Sequence, residues 1–392
     1  MMLSAARSFS ALALRRARFP TQVTRYAPGQ LAPLARRAVA SPLCAASEAA
    51  ATGAATPAGG DQKAPYPPLK VTAPGRVVAL GDVHGDIGQA RRALTIAGVL
   101  GDGGDAVNPE WTGGNTVVVQ VGDVLDRGDD EIAILILLQK LHKQAEAQGG
   151  AVYILNGNHE VLNVSGDFRY VTQGAFQESA RFGEHLVNLF GSAFKEAFGG
   201  GEEDPRKRQV KARVGLFSPG GPLAQQLAMN STVLIVNDTV FAHGGLMPRH
   251  VEFGLERLNN AVADWMRGAE IVSEEDRTAL GMAIGSVKDS VVWNRTFGTE
   301  NFVTDSDRDR ACEVLGNTLD AISEKYGAAK RLVVGHTPQL GGCNGECDGR
   351  IWRIDVGMSF GVVGADPEVI EIDGDEVRVL NSRVPAKQAS KL

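Results

Sequence analysis

Aspartate, glutamate and lysine are absent from the first 47 positions, which instead carry Arg7, Arg15, Arg16, Arg18, Arg25, Arg36 and Arg37 among alanine, serine and leucine. That absence is the compositional mark of an organellar transit peptide, and the four apolar residues at 11–14 are too few for a secretory signal. Cysteine is scarce: four in 392 residues exclude a disulfide-dense secreted scaffold. Long apolar runs are also missing. The longest uncharged stretch, residues 214–237, is broken by Pro, Gly, Gln, Asn and Ser, so no segment reads as a membrane span of ~20 apolar residues. There is no excess of positive charge either. The formal net charge is −6, which offers no general grip on nucleic-acid or membrane phosphate.

What is present has a globular balance, 43% apolar and 22% charged, with enough length for a sizeable core. Glycine is abundant at 47 residues, which predicts many tight loops. The chain divides into a leader over 1–48, addressed to the chloroplast with the mitochondrion as the alternative, and a Pro/Ala/Gly-rich linker over 49–70. A single α/β domain over 71–384 and a short tail over 385–392 follow. Within the domain, residues 132–138 (IAILILL) read as a buried helix, far too short to span a membrane. Residues 199–213 (GGGEEDPRKRQVKAR), Gly-led and charged, read as a surface loop with solvated cations.

The polar residues fall at informative places. Six short β-branched or apolar runs each end in a polar residue beside glycine. Residues 76–80 lead into Gly81-Asp82-Val83-His84-Gly85, and 116–121 into Gly122-Asp123-Val124-Leu125-Asp126-Arg127-Gly128. Residues 151–155 lead into Asn156-Gly157-Asn158-His159-Glu160, and 239–242 into His243-Gly244-Gly245. Residues 331–334 lead into Gly335-His336, and 351–354 into Asp355-Val356-Gly357. In open α/β sheets, ligands bind beyond the carboxyl ends of the strands. Asp82, His84, Asp123, Asn158, His243 and His336 then offer three imidazoles, two carboxylates and one amide oxygen at one rim. Six mixed N/O donors exceed one tetrahedral ion and suit two divalent ions sharing a carboxylate. Without thiolates the set does not resemble a structural zinc site. His142, His185 and His250 lie in helical or loop contexts and read as structural.

These motifs (GDxHG, GDxxDRG, GNHE, HGG and a late GH, in that order across residues 81–336) resemble the phosphoprotein phosphatase superfamily of metallophosphoesterases. GDVLDRGDDE, VVWNRTFG, GHTPQ and WRIDVGMS are similar to its Shewanella-like branch, and the Arg-rich leader to the chloroplast-type members. The resemblance implies a calcineurin-like sandwich of two mixed β-sheets flanked by helices, with a dimetal site at strand C-terminal ends. It also implies hydrolysis of protein Ser/Thr or Tyr phosphomonoesters by a metal-bridging hydroxide. Asp82 and His84 would hold the first ion, Asp123 would bridge, and Asn158, His243 and His336 would complete the second. His159 would be the general acid oriented by Asp126, and Arg127 and Arg295 would hold phosphate oxygens. Manganese would serve in vitro, with iron or zinc as alternatives. The substrate partner would be a phosphoprotein; no nucleic acid or membrane partner is implied. A nucleotide phosphoesterase, such as a dinucleoside polyphosphate hydrolase, is the alternative that the same core allows. Cys343 and Cys312 each lack the arginine six positions on that Cys-based phosphatase chemistry requires. Cys343 and Cys347, four apart in a glycine-rich loop after His336, read as two ordinary loop thiols, with a redox-sensitive pair open to a thioredoxin-like partner as the alternative.

Overall fold

A computed structural model describes residues 65–101, 108–191 and 195–386. The leader, most of the linker and the last residues of the tail lie outside the described residues.

β-branched runs of four residues with both faces buried form the centre of two sheets. In chain order the strands are β1 (Lys70–Val71), β2 (Val77–Leu80), β3 (Val117–Gln120), β4 (Ala151–Ile154), β5 (Val233–Val236) and β6 (Thr239–Ala242). They continue with β7 (Arg331–Val334), β8 (Asn344–Glu346), β9 (Ile351–Arg353), β10 (Val369–Asp373) and β11 (Glu376–Leu380). One sheet runs β1-β5-β6-β7-β9-β8 and the other β11-β10-β2-β3-β4. Within the second sheet β2, β3 and β4 are mutually parallel, as are β6, β7 and β9 in the first. Antiparallel strands complete each, so both sheets are mixed.

The period-2 alternation of side chains divides the core into layers. Val77, Ala79, Val117 and Val119 of one sheet pack with Leu234, Val236, Phe241 and Val333 of the other, forming the seam of the sandwich. The intervening residues, Val78, Leu80, Val118, Ile235, Val240, Leu332 and Val334, face outward under the helices. Those helices are α1 (Ile87–Ile96), α2 (Glu131–Glu146), α3 (Asn158–Val164), α4 (Gln173–Phe190) and α5 (Pro205–Phe217). They continue with α6 (Pro222–Leu227), α7 (Pro248–Phe253), α8 (Leu255–Met266), α9 (Glu274–Ile284) and α10 (Asp305–Tyr326). The apolar run at 132–138 lies in α2, with Ile132, Ile134, Leu135, Leu137 and Leu138 buried as expected of a core helix. His142 accepts from the Val152 N–H at 3.1 Å and His250 from the Met247 N–H at 3.1 Å, both structural roles.

Two expectations are corrected. The segment 199–213 is not a loop throughout. Asp204 caps α5 by accepting from the N–H groups of Arg206 and Lys207, Pro205 occupies the first turn, and Arg213 is fully buried. The Asp-Pro start signal was present, but the density of charge obscured it. Second, Cys343 does not pair with Cys347. The two flank the three-residue strand β8, and four extended Cα–Cα steps separate their Cα atoms by ~13 Å, twice the reach of a disulfide. Cys347 is bonded instead to Cys312 of α10, with Cα atoms 5.4 Å apart. Cys343 is a free thiol, and burial pushes its pKa well above the ordinary value.

The Cys312–Cys347 bond closes a loop of 35 residues. Loop-closure entropy predicts that Cys312→Ser lowers stability by about 3–4 kcal/mol. Thermal unfolding with and without reductant checks this: wild type should melt lower when reduced, and Cys312→Ser should not respond.

Candidate active site

The six parallel strands deliver their carboxyl-end loops to one rim, and hydrogen bonds between the sheets hold the two halves together. The His336 N–H donates to the Asp82 carboxylate at 3.3 and 3.2 Å, joining the end of β7 to the end of β2. Gly335 is needed there, since a Cβ would lie 2.4 Å from Asp82 Oδ1. The loops after β2 and β3 cross where a Cβ on Gly128 would lie 2.4 Å from the backbone of Gly85. His84 (φ 41°), Asp123 (φ 56°), Asp126 (φ 69°), Arg127 (φ 67°) and His336 (φ 66°) all adopt the left-handed region. Such strain gathers at functional sites when surrounding bonds enforce it.

One side chain enforces much of it. Glu160, fully buried, accepts from the N–H groups of Asp123, Val124, Leu125 and Gly157 at 2.8–3.1 Å. It thereby ties the loop after β3 to the start of α3. Burial, helped by the negative charge of Asp123, raises its pKa to about 7 despite those donors.

The donor set converges. His84 Nδ1 faces the Leu125 carbonyl and His243 Nδ1 the Val121 carbonyl, each at 2.9 Å. A proton on Nδ1 leaves each Nε2 as a lone pair aimed inward. His243 Nε2 lies 3.2 Å from Asp123 Oδ2 and 3.0 Å from Asn158 Oδ1. Three acceptors so close are held only by a cation or a shared proton. Nε2 of His336 is buried with no hydrogen-bond partner. Two groups of candidate metal-binding residues result, His84–Asp123–His159 and Asp123–His243–His336, with Asp123 common to both. The residues therefore fit a pair of divalent ions. Asp82 joins neither group. Its carboxylate sits beside Asp355, and burial together with the charges of Asp355 and Asp123 pushes its pKa well up. Burial likewise raises Asp355 to about 6 and lowers His84 to about 4. Acids that resist ionisation and imidazoles that resist protonation are both relieved by a bound cation.

His159 Nδ1 is 2.6 Å from Asp126 Oδ2, while its Nε2 faces Asp123 Oδ2 at 3.8 Å. Burial opposes protonation of His159, but the Asp123 charge and the Asp126 hydrogen bond outweigh it and raise the pKa. The Arg127 guanidinium stacks 5.0 Å over the Tyr170 ring, with Nε buried and unpartnered. Tyr170 also lies 5.1 Å from the His159 ring. Arg295 Nη1 donates to Thr337 Oγ1 at 3.2 Å, next to His336. Glu160, Asp355 and Tyr170 were not among the expected site residues. The first two stand at strand ends like the others; Tyr170 has no comparable signal.

Residues 75–340 match the calcineurin-like phosphoesterase family. The chain is 40% identical over 327 residues to Shewanella-like protein phosphatase 2 of Arabidopsis thaliana, covering 79% of this chain and 78% of that protein. It is 27% identical over 317 residues to Shewanella-like protein phosphatase 1 of Plasmodium berghei (strain Anka), covering 80% and 76%. Among solved structures it is similar in fold to a cold-active protein-tyrosine phosphatase of a psychrophilic Shewanella. The TM-score is 0.54 at 22% identity, covering 80% of this chain and 82% of that one.

Glu160→Ala removes the acceptor of four backbone N–H groups, each worth about 1–3 kcal/mol when left buried and unpaired. The melting temperature should fall by many degrees, whereas Glu160→Gln, which keeps one carbonyl acceptor, should fall less. Equal melting of wild type and Glu160→Ala would refute the bridging role.

Proposed function

The chain belongs to the calcineurin-like phosphoesterase family and, within it, to the Shewanella-like protein phosphatases, and from that premise we propose that it hydrolyses phosphomonoesters of Ser/Thr or Tyr on proteins with two divalent metal ions. The observation that carries this reading is Asp123, one carboxylate common to two buried donor groups.

Asp82 and His84 would hold one ion, Asn158, His243 and His336 the other, and Asp123 both. When bound, such ions offset phosphoryl charge and lower the pKa of water enough to supply a nucleophile near neutral pH. The protein's own residues do the rest. Arg127 and Arg295 bind the phosphate oxygens, for which the planar guanidinium is suited. Stacking on Tyr170 fixes the Arg127 guanidinium, and its unpartnered Nε is free for a substrate oxygen. Asp126 takes the Nδ1 side of His159, so the transferable proton sits on Nε2, inside the donor cluster. That proton passes to the leaving oxygen as the P–O bond breaks, releasing the alcohol. Manganese is the assay metal suggested by the N/O donors. Delivery to the plastid, with the mitochondrion as alternative, is suggested by the acid-free, Arg-rich leader.

Asp123→Asn should lose both ions and at least ~100-fold in turnover together; metal analysis showing two ions retained would contradict the shared-ligand role. His159→Asn should lose about 100-fold or more on an alkyl phosphate and much less on an activated aryl phosphate, whose leaving group needs no proton. Equal losses on both would count against proton donation. The substrate class is tested on a matched panel of Ser, Thr and Tyr phosphopeptides and nucleotides, and faster turnover of nucleotides would overturn the protein-phosphatase reading.

A further inference from the structure

Arg213 lies outside every motif that points to the site, yet its guanidinium is fully buried beside it. It is 0% exposed on α5. Its ring cage is Phe217, Phe168 and Phe176, with centroids 4.7, 5.7 and 5.8 Å from the guanidinium carbon. A buried ion pair gives little net stability compared with an apolar replacement, so such a residue invites a question about orientation.

Its hydrogen bonds run toward the reacting centre. Nε and Nη2 both donate to Asn163 Oδ1, at 2.9 and 2.6 Å. Nη1 donates to Glu131 Oε2 at 2.6 Å and to Ser179 Oγ at 3.2 Å. Asn163 and Glu131 each then hold Asp126. With its oxygen claimed by the guanidinium, Asn163 can only present its NH2 group to the other side, where Nδ2 donates to Asp126 Oδ1 at 3.0 Å and to the His159 carbonyl at 2.9 Å. A flipped amide would set NH2 against the guanidinium, so Arg213 selects the orientation. Glu131 meanwhile accepts from the Asp126 N–H at 2.5 Å through its other oxygen, Oε1. Asp126 is thus fixed at its backbone and at one carboxylate oxygen, and only Oδ2 remains for His159 Nδ1, at 2.6 Å.

We propose that Arg213 is a positioning residue for the reaction: through Asn163 and Glu131 it sets the Asp126 carboxylate, and so the ring of His159, in the geometry needed to protonate the leaving group. Arg213 touches no substrate. The inference rests on the reading of His159 as the general acid.

A double-mutant cycle tests it. Turnover and KM are measured on an alkyl phosphate and on p-nitrophenyl phosphate for wild type, Arg213→Met, His159→Asn and the combined variant, with metal content and melting on the same samples. Arg213→Met should lower kcat on the alkyl phosphate about 10- to 100-fold, with a smaller loss on the aryl phosphate, nearly unchanged KM and wild-type metal content. In the His159→Asn background the same substitution should cost almost nothing, because both act through one proton transfer. If Arg213→Met does not fold, the cycle is run with Arg213→Met/Glu131→Gln, which removes both buried charges together, and the same coupling is expected. Losses that multiply independently with His159→Asn, losses equal on both substrates, or loss of metal in folded protein overturn the proposal. If His159→Asn discriminates between leaving groups while Arg213 is uncoupled from it, only this inference fails. If His159→Asn shows no discrimination, the acid reading fails and takes this inference with it.

Discussion

Everything at the rim is arranged around the two oxygens of Asp123. Oδ1 accepts the backbone N–H of His159 at 2.9 Å and so anchors the start of α3. Oδ2 faces the Nε2 atoms of His243, His84 and His159 at 3.2, 3.8 and 3.8 Å. One buried carboxylate therefore draws together imidazoles from three separate stretches of the chain, and their attraction outweighs its desolvation. The left-handed backbone at five of the functional residues is a second cost, about 1–3 kcal/mol for each. Glu160 and the glycines at the loop crossings are the local means of sustaining it, and the apolar seam between the sheets is the global one.

The two sheets have different tasks in this arrangement. The β2-β3-β4 group supplies Asp82, His84, Asp123, Asp126, Asn158 and His159, including both members of the His159–Asp126 pair. The β6-β7-β9 group supplies His243, His336 and Asp355. Neither set of loops contains enough donors for two ions. The hydrogen bonds across the seam, from His336 to Asp82 and from His243 to Val121, are consequently part of the site as well as of the fold.

Much of this was legible in the sequence because the same rule applies at every strand end: a four-residue β-branched run stops and a polar residue follows beside glycine. Asp82, His84, Asp123, Asn158, His159, His243 and His336 could be gathered without knowing any distance. What was not legible depended on partners far away in the chain. Arg213 looks solvated in its charged segment, and only the approach of α2, α3 and α4 makes it a core residue. Cys347 looks like the partner of its neighbour Cys343 until β8 runs extended between them and α10 brings Cys312 alongside. Asp355 stood at a strand end in plain view, but its closeness to Asp82 is a property of two sheets meeting. Local pattern reports which residues stand at an edge; it does not report which edge they will face.

The pairing of β10 with β2 has a consequence for how the protein is made. Val77–Leu80 is the first long strand of the domain, and its antiparallel neighbour Val369–Asp373 is almost the last. During synthesis, the strand bearing the earliest ligand loop leaves one flank open until nearly the whole polypeptide has left the ribosome. His336 and Asp355 also emerge late, so a nascent chain that stops short of β7 lacks one of the six donors and the acid beside Asp82. The donor set is incomplete until β7 has been made, and the unpaired flank of β2 is the surface that folding assistance must shield in the interval.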